Sequence, residues 1–326
     1  MQLPDGHTAR PATLADVEAI HALVSRYTVD VVGFADYTLD DVRNDLADPG
    51  FDPSAGTWLV HRDDTLVGYG WAAARATGEL VDIDVVTPHD ALFPWLYTRT
   101  LARAEQLAMA GGHPTTMVNQ GIYRSDTATR TAAGAHGLTP ATVFLRMRID
   151  HGPPQPQTPK PPPAPEPPPG VTLRVGPGDE PFRRTAHAIL TESFQDHFAF
   201  VPTSFDRWHA RLDAESTFDW SQLMVADLDG TPAAMLVANS RFLTTDNCGY
   251  VADLGVLPTA RGHGIARCLL QTTFHRDHNA GRTGTILHVD SNNPTPALNL
   301  YRSVGMHPIL TIDMWQRTWP TPTNAP

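Results

Sequence analysis

The stretch LGVLPTARGHGIARCLL, residues 254–270, decides the fold. A strand-like apolar pattern ends at Val256, and a helical pattern begins after two glycines, Gly262 and Gly264. The first turn of a helix offers backbone amides without intrahelical partners, together with the positive end of the helix dipole. Glycines let an anion approach those amides closely, and Arg261 adds a positive charge. The stretch therefore predicts a binding site for a diphosphate.

Two other phosphate-binding patterns do not fit this stretch. A dinucleotide fingerprint needs GxGxxG and an acidic residue about twenty positions later, whereas this loop is only GxG and Asp290 lies too far along. A P-loop needs a lysine after its glycine. The single lysine of the chain, Lys160, lies among prolines, which also argues against Schiff-base chemistry.

The overall composition limits the possible classes of protein. A length of 326 residues predicts two domains, and a net charge of −11 argues against a nucleic-acid partner. The chain has neither a signal-peptide pattern nor an apolar run long enough to span a membrane, so we expect a cytoplasmic protein without membrane contact. Cys248 and Cys268 form no metal or disulfide pattern, and both are expected to be small buried residues; no metal site is predicted.

A proline-rich segment separates two similar halves. Residues 151–170 read HGPPQPQTPKPPPAPEPPPG, which predicts a semi-rigid polyproline spacer. TWLVHRDDTLVGYGWAAA from Thr57 resembles QLMVADLDGTPAAMLVAN from Gln222, and each reads as a β-hairpin. The similar stretches recur about 165 to 170 residues apart, which indicates an internal duplication. The predicted domains are residues 1–150 and 171–326, joined by the linker 151–170.

The order of patterns within one half predicts its architecture. An opening strand is followed by two helices, a hairpin, a strand, the helix after the glycine loop, a strand, a short helix and a closing strand. Antiparallel pairs come first and a strand–helix–strand unit follows. This order predicts an α+β fold, an α/β sandwich.

The C-terminal half resembles the GNAT superfamily of acyl-CoA-dependent N-acyltransferases. The resemblance rests on a strand ending at Val256, on Pro258, on Arg261-x-x-Gly264-x-Ala266, and on the later stretches LHVDSNNP and ALNLYRSVGM. It implies two tandem GNAT-like domains, each a mixed, mostly antiparallel sheet splayed at its central strands with helices on both faces. The duplication and the stretches ESFQDHFAF and FDWSQLMVA further resemble the tandem-GNAT group that includes mycothiol synthase.

The same resemblance implies acetyl-CoA as the cofactor and assigns its contacts. The strand backbone at residues 254–256 would bond the pantetheine arm, the loop amides at 261–266 would hold the pyrophosphate, and Asn293 would lie near the arm. Tyr301 would protonate the departing thiolate. The implied cofactor-binding residues are Leu254, Gly255, Val256, Arg261, Gly262, His263, Gly264, Ile265, Ala266, Asn293 and Tyr301.

Candidates for deprotonating and binding an amine lie on the central strand and on an early loop. Asp253 is the candidate base on the strand, with Asp196 and His197 as loop alternatives. Strand alternation places Tyr250 and Asp253 on opposite faces, unless a bulge shifts the register. The predicted acceptor-binding residues are Asp196, His197, Trp208 and Tyr250.

The first half lacks the glycine loop. When Pro88 is aligned with Pro258, the positions of Arg261, Gly262 and Gly264 are taken by Ala91, Leu92 and Pro94. Proline has no amide to donate, and the leucine side chain would fill the space of a phosphate. Residues 1–150 are therefore predicted to be a degenerate domain that does not bind CoA in the usual manner.

These patterns lead to one functional hypothesis and several alternatives. The main hypothesis is transfer of an acetyl group from acetyl-CoA to the primary amine of a small molecule, with Tyr301 and Asp253 as catalytic residues, by a monomer or homodimer. One alternative is a non-catalytic acyl-CoA sensor. Others are mycothiol synthase-like acetylation of a cysteinyl amino sugar, and another thioester reaction on the same fold.

Overall fold

The computed structural model describes residues 2–75, 78–113, 115–152, 164–292 and 295–320. The chain divides into two compact units, residues 1–143 with 311–326 and residues 144–310. The dividing lines fall inside the closing strand of each half, so these units do not follow the predicted boundaries, which trace the repeat in the sequence. Most of the predicted linker, residues 153–163, lies outside the described residues.

The two halves of the chain share the order of their strands and longer helices. The first half forms β1 (His7–Arg10), α1 (Val17–Val32), α2 (Leu39–Ala47), α3 (Pro53–Gly56), β2 (Thr57–Arg62), β3 (Thr65–Arg75), β4 (Leu80–Val86), α4 (Phe93–Gly111), β5 (Thr115–Tyr123), α5 (Thr127–Ala135) and β6 (Thr139–Asp150). The second half forms β7 (Val171–Val175), α6 (Glu180–Ser193), α7 (Phe205–Ala214), β8 (Leu223–Leu228), β9 (Thr231–Asn239), α8 (Leu243–Asp246), β10 (Cys248–Val256), α9 (Ile265–Asn279), β11 (Gly284–Asp290), α10 (Ala297–Ser303) and β12 (His307–Pro320). The halves differ in two four-residue helices, α3 before β2 in the first half and α8 between β9 and β10 in the second. The predicted α+β order is confirmed.

Each unit contains a sheet that is antiparallel at first and becomes mixed. In the first unit, β1 to β4 pair antiparallel in sequence order, β4 pairs parallel with β5, and β5 pairs antiparallel with residues 312–320 of β12. In the second unit, β7 to β10 pair antiparallel, β10 pairs parallel with β11, and β11 pairs antiparallel with residues 144–150 of β6. Each sheet thus takes its last strand from the other half of the sequence.

Strand β9 shows how the second unit covers both faces of its sheet. Ala234 and Leu236 belong to the hydrophobic cluster formed with α9 and α10, whereas Met235 and Val237 belong to the cluster formed with α6 and α7. Because successive side chains of a strand point to opposite faces, each face of the sheet is buried under a helix layer. The predicted helices on both faces are confirmed.

Local capping sets the ends of the helices that flank the site. The Asp179 side chain accepts a hydrogen bond from the Phe182 amide at the start of α6, and Ser204 does the same for Arg207 at the start of α7. Such caps satisfy amides that have no intrahelical partner. Helix α7 ends at Ala214, so Glu215 stands at its C-cap.

Cys248 and Cys268 are both free and buried, as predicted. Within the described residues, no helix combines the length and the apolar character needed to cross a bilayer.

Candidate active site

A β-bulge in β10 decides which side chains share a face of the sheet. The register between β10 and β9 shifts between Val251 and Asp253, which leaves Ala252 as the extra residue. Val251 and Leu254 consequently pack into the same cluster beneath α9, although they are three positions apart. Tyr250 and Asp253 therefore lie together on the opposite face, the side of α6 and α7. Regular alternation does not hold here, because the bulge changes the register.

The central strands part directly after this bulge. Parallel pairing joins residues 248–251 of β10 to residues 284–287 of β11, while β10 continues to Val256 and β11 to Asp290. Beyond Val251 the backbone groups of β10 that would bond a neighbouring strand face a gap. Since buried backbone groups need partners, such a gap suits an extended ligand that carries amides.

The glycine loop follows the parted strand at the start of α9. A short 3-10 turn, Pro258–Ala260, leads into Gly262 at φ 85° and Gly264 at φ 78°. A side chain at either position would be strained in this left-handed backbone, and a Cβ on Gly262 would meet open space. Gly264 is the N-cap of α9 and provides no side-chain cap, so the first amides of the helix remain available to an anion.

Gly255 lets the end of α6 approach the parted strand. A Cβ at this position would collide with the Ser193 hydroxyl, and the ring of Phe194 lies just beyond. The segment that follows α6 is thereby held beside β10. It contains His197, whose ring lies 5.1 Å from that of Phe194.

Asp253 is partly buried, and both positively and negatively charged side chains lie near it. Burial raises the pKa of its carboxyl above the ordinary value, Arg211 opposes that rise, Glu215 adds to it, and His197 opposes it. A carboxylate with a raised pKa binds a proton more strongly than an exposed one does. The structure thus brings Asp253 and His197, two of the predicted residues, within electrostatic reach of each other.

Glu215 is a second carboxylate that the sequence did not single out. Its Oε1 accepts hydrogen bonds from Asn239 Nδ2 at 2.7 Å and from Thr217 Oγ1 at 3.0 Å. It also raises the pKa of Tyr250 through its charge, although burial is the largest cause there. A glutamate directly after an amphipathic helix is common, so only the tertiary structure reveals its place near Asp253.

The Tyr250 hydroxyl belongs to a chain of polar side chains across three strands. Its oxygen lies 3.0 Å from Nδ1 of His288 on β11, and Arg146 on β6 donates from Nε to His288 Nε2 at 3.0 Å. Arg146 and His288 are also direct cross-strand partners. Burial, together with the positive charges of Arg146 and Arg241, lowers the pKa of His288 well below its ordinary value, so this imidazole is neutral.

Tyr301 lies on α10, on the other side of the sheet. It is 9% exposed and belongs to the cluster that contains Ile265 and Leu269 of α9. Burial raises the pKa of its phenol to about 12, which keeps the hydroxyl protonated at neutral pH. A protonated phenol can donate a proton or a hydrogen bond.

Comparison with known proteins matches this part of the chain to a protein family. Residues 186–306 match the family model described as the acetyltransferase (GNAT) family. This match contains the parted strand, the glycine loop and Tyr301. Residues 186–306 form a GNAT acetyltransferase domain.

One curated relative and several solved structures extend the comparison beyond the GNAT domain. A mycothiol acetyltransferase of Thermomonospora curvata is 31% identical over 175 residues, which is 53% of this chain and 54% of that protein. The chain thus matches about half the length of this relative. A GCN5-related N-acetyltransferase from Sphaerobacter thermophilus is 24% identical, with a TM-score of 0.79 and 97% of both chains covered.

Two more distant structures agree in fold. A tandem GNAT protein from the clavulanic acid biosynthesis pathway is 15% identical, with a TM-score of 0.69, covering 96% of this chain and 98% of that one. An N-myristoyltransferase of Saccharomyces cerevisiae with bound myristoyl-CoA is 12% identical, with a TM-score of 0.60, covering 100% of this chain and 83% of that one. The fold is that of the tandem GNAT proteins, as the sequence predicted.

Two predicted residues, Asp196 and Trp208, do not join the group on the GNAT domain. Asp196 is exposed on the loop after α6. Trp208 is 2% exposed and packs in the cluster between α6, α7 and β8. Asn293 lies outside the described residues. The roles of these residues, like those of the other predicted site residues, stay predictions.

The described residues of the first unit contain no comparable glycine loop. Leu92 is fully buried and Pro94 stands in the first turn of α4. Pairing of β4 with β5 stops at Asn119, and at the next position the Tyr97 hydroxyl donates to Gln120 Oε1 at 2.8 Å. Tyr97 has no exposed surface. Side chains of the protein therefore occupy the region that corresponds to the gap of the GNAT domain.

A pocket of about 930 Å³ lies elsewhere in the first unit. His136 and Arg317 are among its lining residues, and Arg317 Nη1 donates to the His136 carbonyl at 2.8 Å. None of the predicted site residues lines it.

We expect Asp84→Asn to stabilise the protein at neutral pH. Asp84 lies on β4, and burial raises its pKa to about 6 against hydrogen bonds from the Val85 amide and Gln120. Because the folded-state pKa is raised, the stability that Asp84 contributes is present below about pH 4 and is lost as pH rises through about 6. Removing the charge should increase the unfolding free energy by on the order of 2 kcal/mol at pH 7.5.

Denaturant titrations at pH 7.5 and at pH 4 measure this effect. The gain should vanish at pH 4, and acetyl-transfer activity should stay unchanged, because the first unit lacks the glycine loop. Asp64→Asn, at an exposed carboxylate, is the control and should change neither quantity. An equal gain at both pH values would contradict the burial argument.

Proposed function

We propose that this chain is an acetyl-CoA-dependent N-acetyltransferase that acts on the primary amine of a small molecule. The observation that carries the proposal is the parted strand pair followed directly by the glycine loop at the start of α9. In this proposal residues 171–326 are the catalytic domain, residues 1–150 are a degenerate copy, and residues 151–170 link them. The match to an acetyltransferase domain and the 31% identity to a mycothiol acetyltransferase support the same activity.

The chemistry of the loop fits the proposed cofactor. Gly262 and Gly264 leave the helix amides accessible, and Arg261 is an exposed cation at the same loop. Amides at a helix start favour a diphosphate through hydrogen bonds and through the helix dipole. The backbone of residues 254–256 faces the gap where an amide-bearing arm would bind. Acetyl-CoA would supply an acetyl group activated as a thioester.

Side chains on opposite faces of the sheet suit the two proton transfers of the reaction, one from the amine and one to the leaving sulfur. Asp253 can accept a proton from the ammonium form of an acceptor, because its carboxylate is partly buried and holds protons strongly. Tyr301 can hold a proton at its hydroxyl for a leaving sulfur. Asp253 and Glu215 together favour a cationic acceptor. We call the side of β10 and β11 that carries Tyr250, Asp253 and His288 the acceptor face.

The acceptor of the named relative suggests a narrower candidate. Transfer to a cysteinyl amino sugar, as in mycothiol synthesis, would follow if the 31% identity extended to the acceptor-binding residues. The alignment spans about half of each protein. We therefore propose the broader class, small primary amines, as the acceptor.

A thiol-release assay tests the proposal. Acetyl-CoA is incubated with the full chain and a panel of amino sugars, amino acids and polyamines, and free thiol is followed colorimetrically. Amine-dependent release that depends on enzyme concentration supports the proposal. Binding of acetyl-CoA in a calorimeter without release by any amine would favour a non-catalytic acyl-CoA sensor instead.

The pH dependence of the reaction should report Asp253. As pH falls below the raised pKa of this carboxyl, the group becomes protonated and can no longer accept a proton, so kcat/KM should fall. Asp253→Asn should lower kcat/KM about 30-fold at pH 8 and remove this acid limb. The loss is smaller than the roughly 10²- to 10⁴-fold typical of a general base because part of the amine arrives neutral at that pH.

The folding stability of Asp253→Asn tests the raised pKa of Asp253 independently of activity. Since burial raises the folded-state pKa of Asp253, its ionisation disfavours the folded state, and Asp253→Asn should be more stable than the wild type at pH 7 but not at pH 3. Asp206→Asn, at a side chain that is 89% exposed on α7, is the control for both measurements. An unchanged acid limb in Asp253→Asn would assign the base to another group.

A further inference from the structure

The hydrogen bonds that link Arg146, His288 and Tyr250 determine which ring nitrogen of His288 carries a hydrogen. A guanidinium group only donates hydrogen bonds, so the nitrogen that accepts from Arg146 Nε, His288 Nε2, carries a lone pair. A neutral imidazole with its lone pair on Nε2 carries its hydrogen on Nδ1. That hydrogen faces the Tyr250 oxygen at a nitrogen-to-oxygen distance of 3.0 Å. Tyr250 is therefore the acceptor in this contact.

The direction of this contact determines what Tyr250 can do next. With its oxygen accepting from His288, the hydroxyl hydrogen of Tyr250 is left to point at a different acceptor. Among the described residues, its hydroxyl forms no other hydrogen bond. If Tyr250 instead donated to Nδ1, the hydrogen of His288 would be on Nε2. That hydrogen would face the Arg146 Nε hydrogen, which is also a donor.

The surroundings hold this arrangement in place. Arg146 is 3% exposed, and its guanidinium lies 4.7 Å from the centre of the Phe242 ring. The ring of Tyr250 packs at 5.3 Å against the same Phe242. Arg146 and Tyr250 are thus fixed by packing as well as by their hydrogen bonds to His288. Burial, with the charges of Arg146 and Arg241 acting in the same direction, lowers the pKa of His288 and favours its neutral form.

We propose that Arg146 and His288 are positioning residues that make the Tyr250 hydroxyl a hydrogen-bond donor into the acceptor face. This inference rests on the proposed function, since Tyr250 shares that face with Asp253. A donor beside a carboxylate selects an amine that carries an oxygen next to it, such as an amino sugar or an amino alcohol. The amine meets Asp253, and the neighbouring oxygen accepts from Tyr250.

The tautomer of His288 is the first test and requires no turnover. The full chain is labelled with ¹⁵N-histidine, and long-range proton–nitrogen correlation spectra report which ring nitrogen carries hydrogen. His288→Gln identifies the signals of this residue among the 15 histidines. We expect a hydrogen on Nδ1 and none on Nε2 between pH 5.5 and 8. A hydrogen on Nε2, or a charged ring, would overturn the proposal.

Matched acceptors provide the second test. Glucosamine and cyclohexylamine both present an amine on a six-membered ring, but only the first has neighbouring oxygens. Tyr250→Phe should reduce the kcat/KM preference for glucosamine about tenfold, the value of one hydrogen bond of about 1.4 kcal/mol. An equal effect on both amines would mean that Tyr250 acts only by packing, and would overturn the proposal.

Two variants of Arg146 separate positioning from packing. Arg146→Gln keeps a donor for His288 and should retain most of the preference for glucosamine, whereas Arg146→Met should lose it about as far as Tyr250→Phe. Equal preferences in Arg146→Met and the wild type would remove Arg146 from the proposal. If no amine is acetylated, the proposed function fails, and the tautomer of His288 still decides whether Tyr250 is a donor.

Discussion

Replacing Tyr301 by Phe should lower kcat about 10³-fold while leaving the Kd for acetyl-CoA nearly unchanged. The phenol is buried, with its pKa raised to about 12, so it holds its proton at every pH at which the folded protein is assayed. Phe keeps the packing of this side chain against the α9 cluster and removes only the hydroxyl. Without an acid, a thiolate must leave unprotonated. Single-turnover kinetics with saturating acetyl-CoA measure the chemical step directly.

The matched control for this variant lies in the first unit. Tyr97→Phe makes the same chemical change at another buried tyrosine, whose hydroxyl bonds Gln120. It should cost about 1 kcal/mol of stability and leave kcat unchanged. If Tyr301→Phe retained full kcat, the acid would have to be another group or water, and Tyr301 would be a packing residue only.

Gly262→Asp should weaken acetyl-CoA binding by about 10²-fold. A carboxylate in this open loop would lie beside the proposed pyrophosphate. Two adjacent negative charges near a protein surface repel each other by about 3 kcal/mol. Asp tolerates the left-handed backbone better than most residues, so the protein should still fold. Isothermal titration calorimetry with acetyl-CoA measures the change, and activity should recover at high acetyl-CoA concentration.

Gly281→Asp is the control for charge and backbone strain. Gly281 has φ 75°, has open space around its Cβ position, and follows the other end of the same helix. Its variant should bind acetyl-CoA within about threefold of the wild type, since electrostatic effects of this kind fall off within roughly one Debye length of 8 to 10 Å. Equal losses in both variants would show that the loop at 261–266 does not hold the phosphates.

The glycine loop was readable from the sequence because every part of it is local. A strand pattern, two glycines at positive φ and a following helix lie within seventeen consecutive residues, and the structure has the strand, turn and helix where the pattern predicts them. The loss of the same loop in the first half was readable for the same reason. A buried leucine and a proline stand where glycines would be needed.

The arrangement around Asp253 could not be predicted from the sequence alone. The bulge at Ala252 depends on the pairing of β10 with β9, and regular alternation would have separated Asp253 from Tyr250. Glu215 comes near these residues only through the packing of α7 over the sheet. Arg146 and His288 are 142 positions apart, and no local pattern connects them.

The sequence by itself determined the order of elements and the position of the glycine loop, since each depends on neighbours within one helix or one turn, and it indicated the duplication through similar stretches that recur along the chain. Tertiary structure decided which strand closes each sheet, because the edge of a sheet can pair with any suitable strand whatever its place in the chain. Residues 144–150 of β6 therefore carry Arg146 from the first half of the sequence to the acceptor face of the second unit. The hydrogen bonds that orient Tyr250 exist only after that long-range pairing has formed.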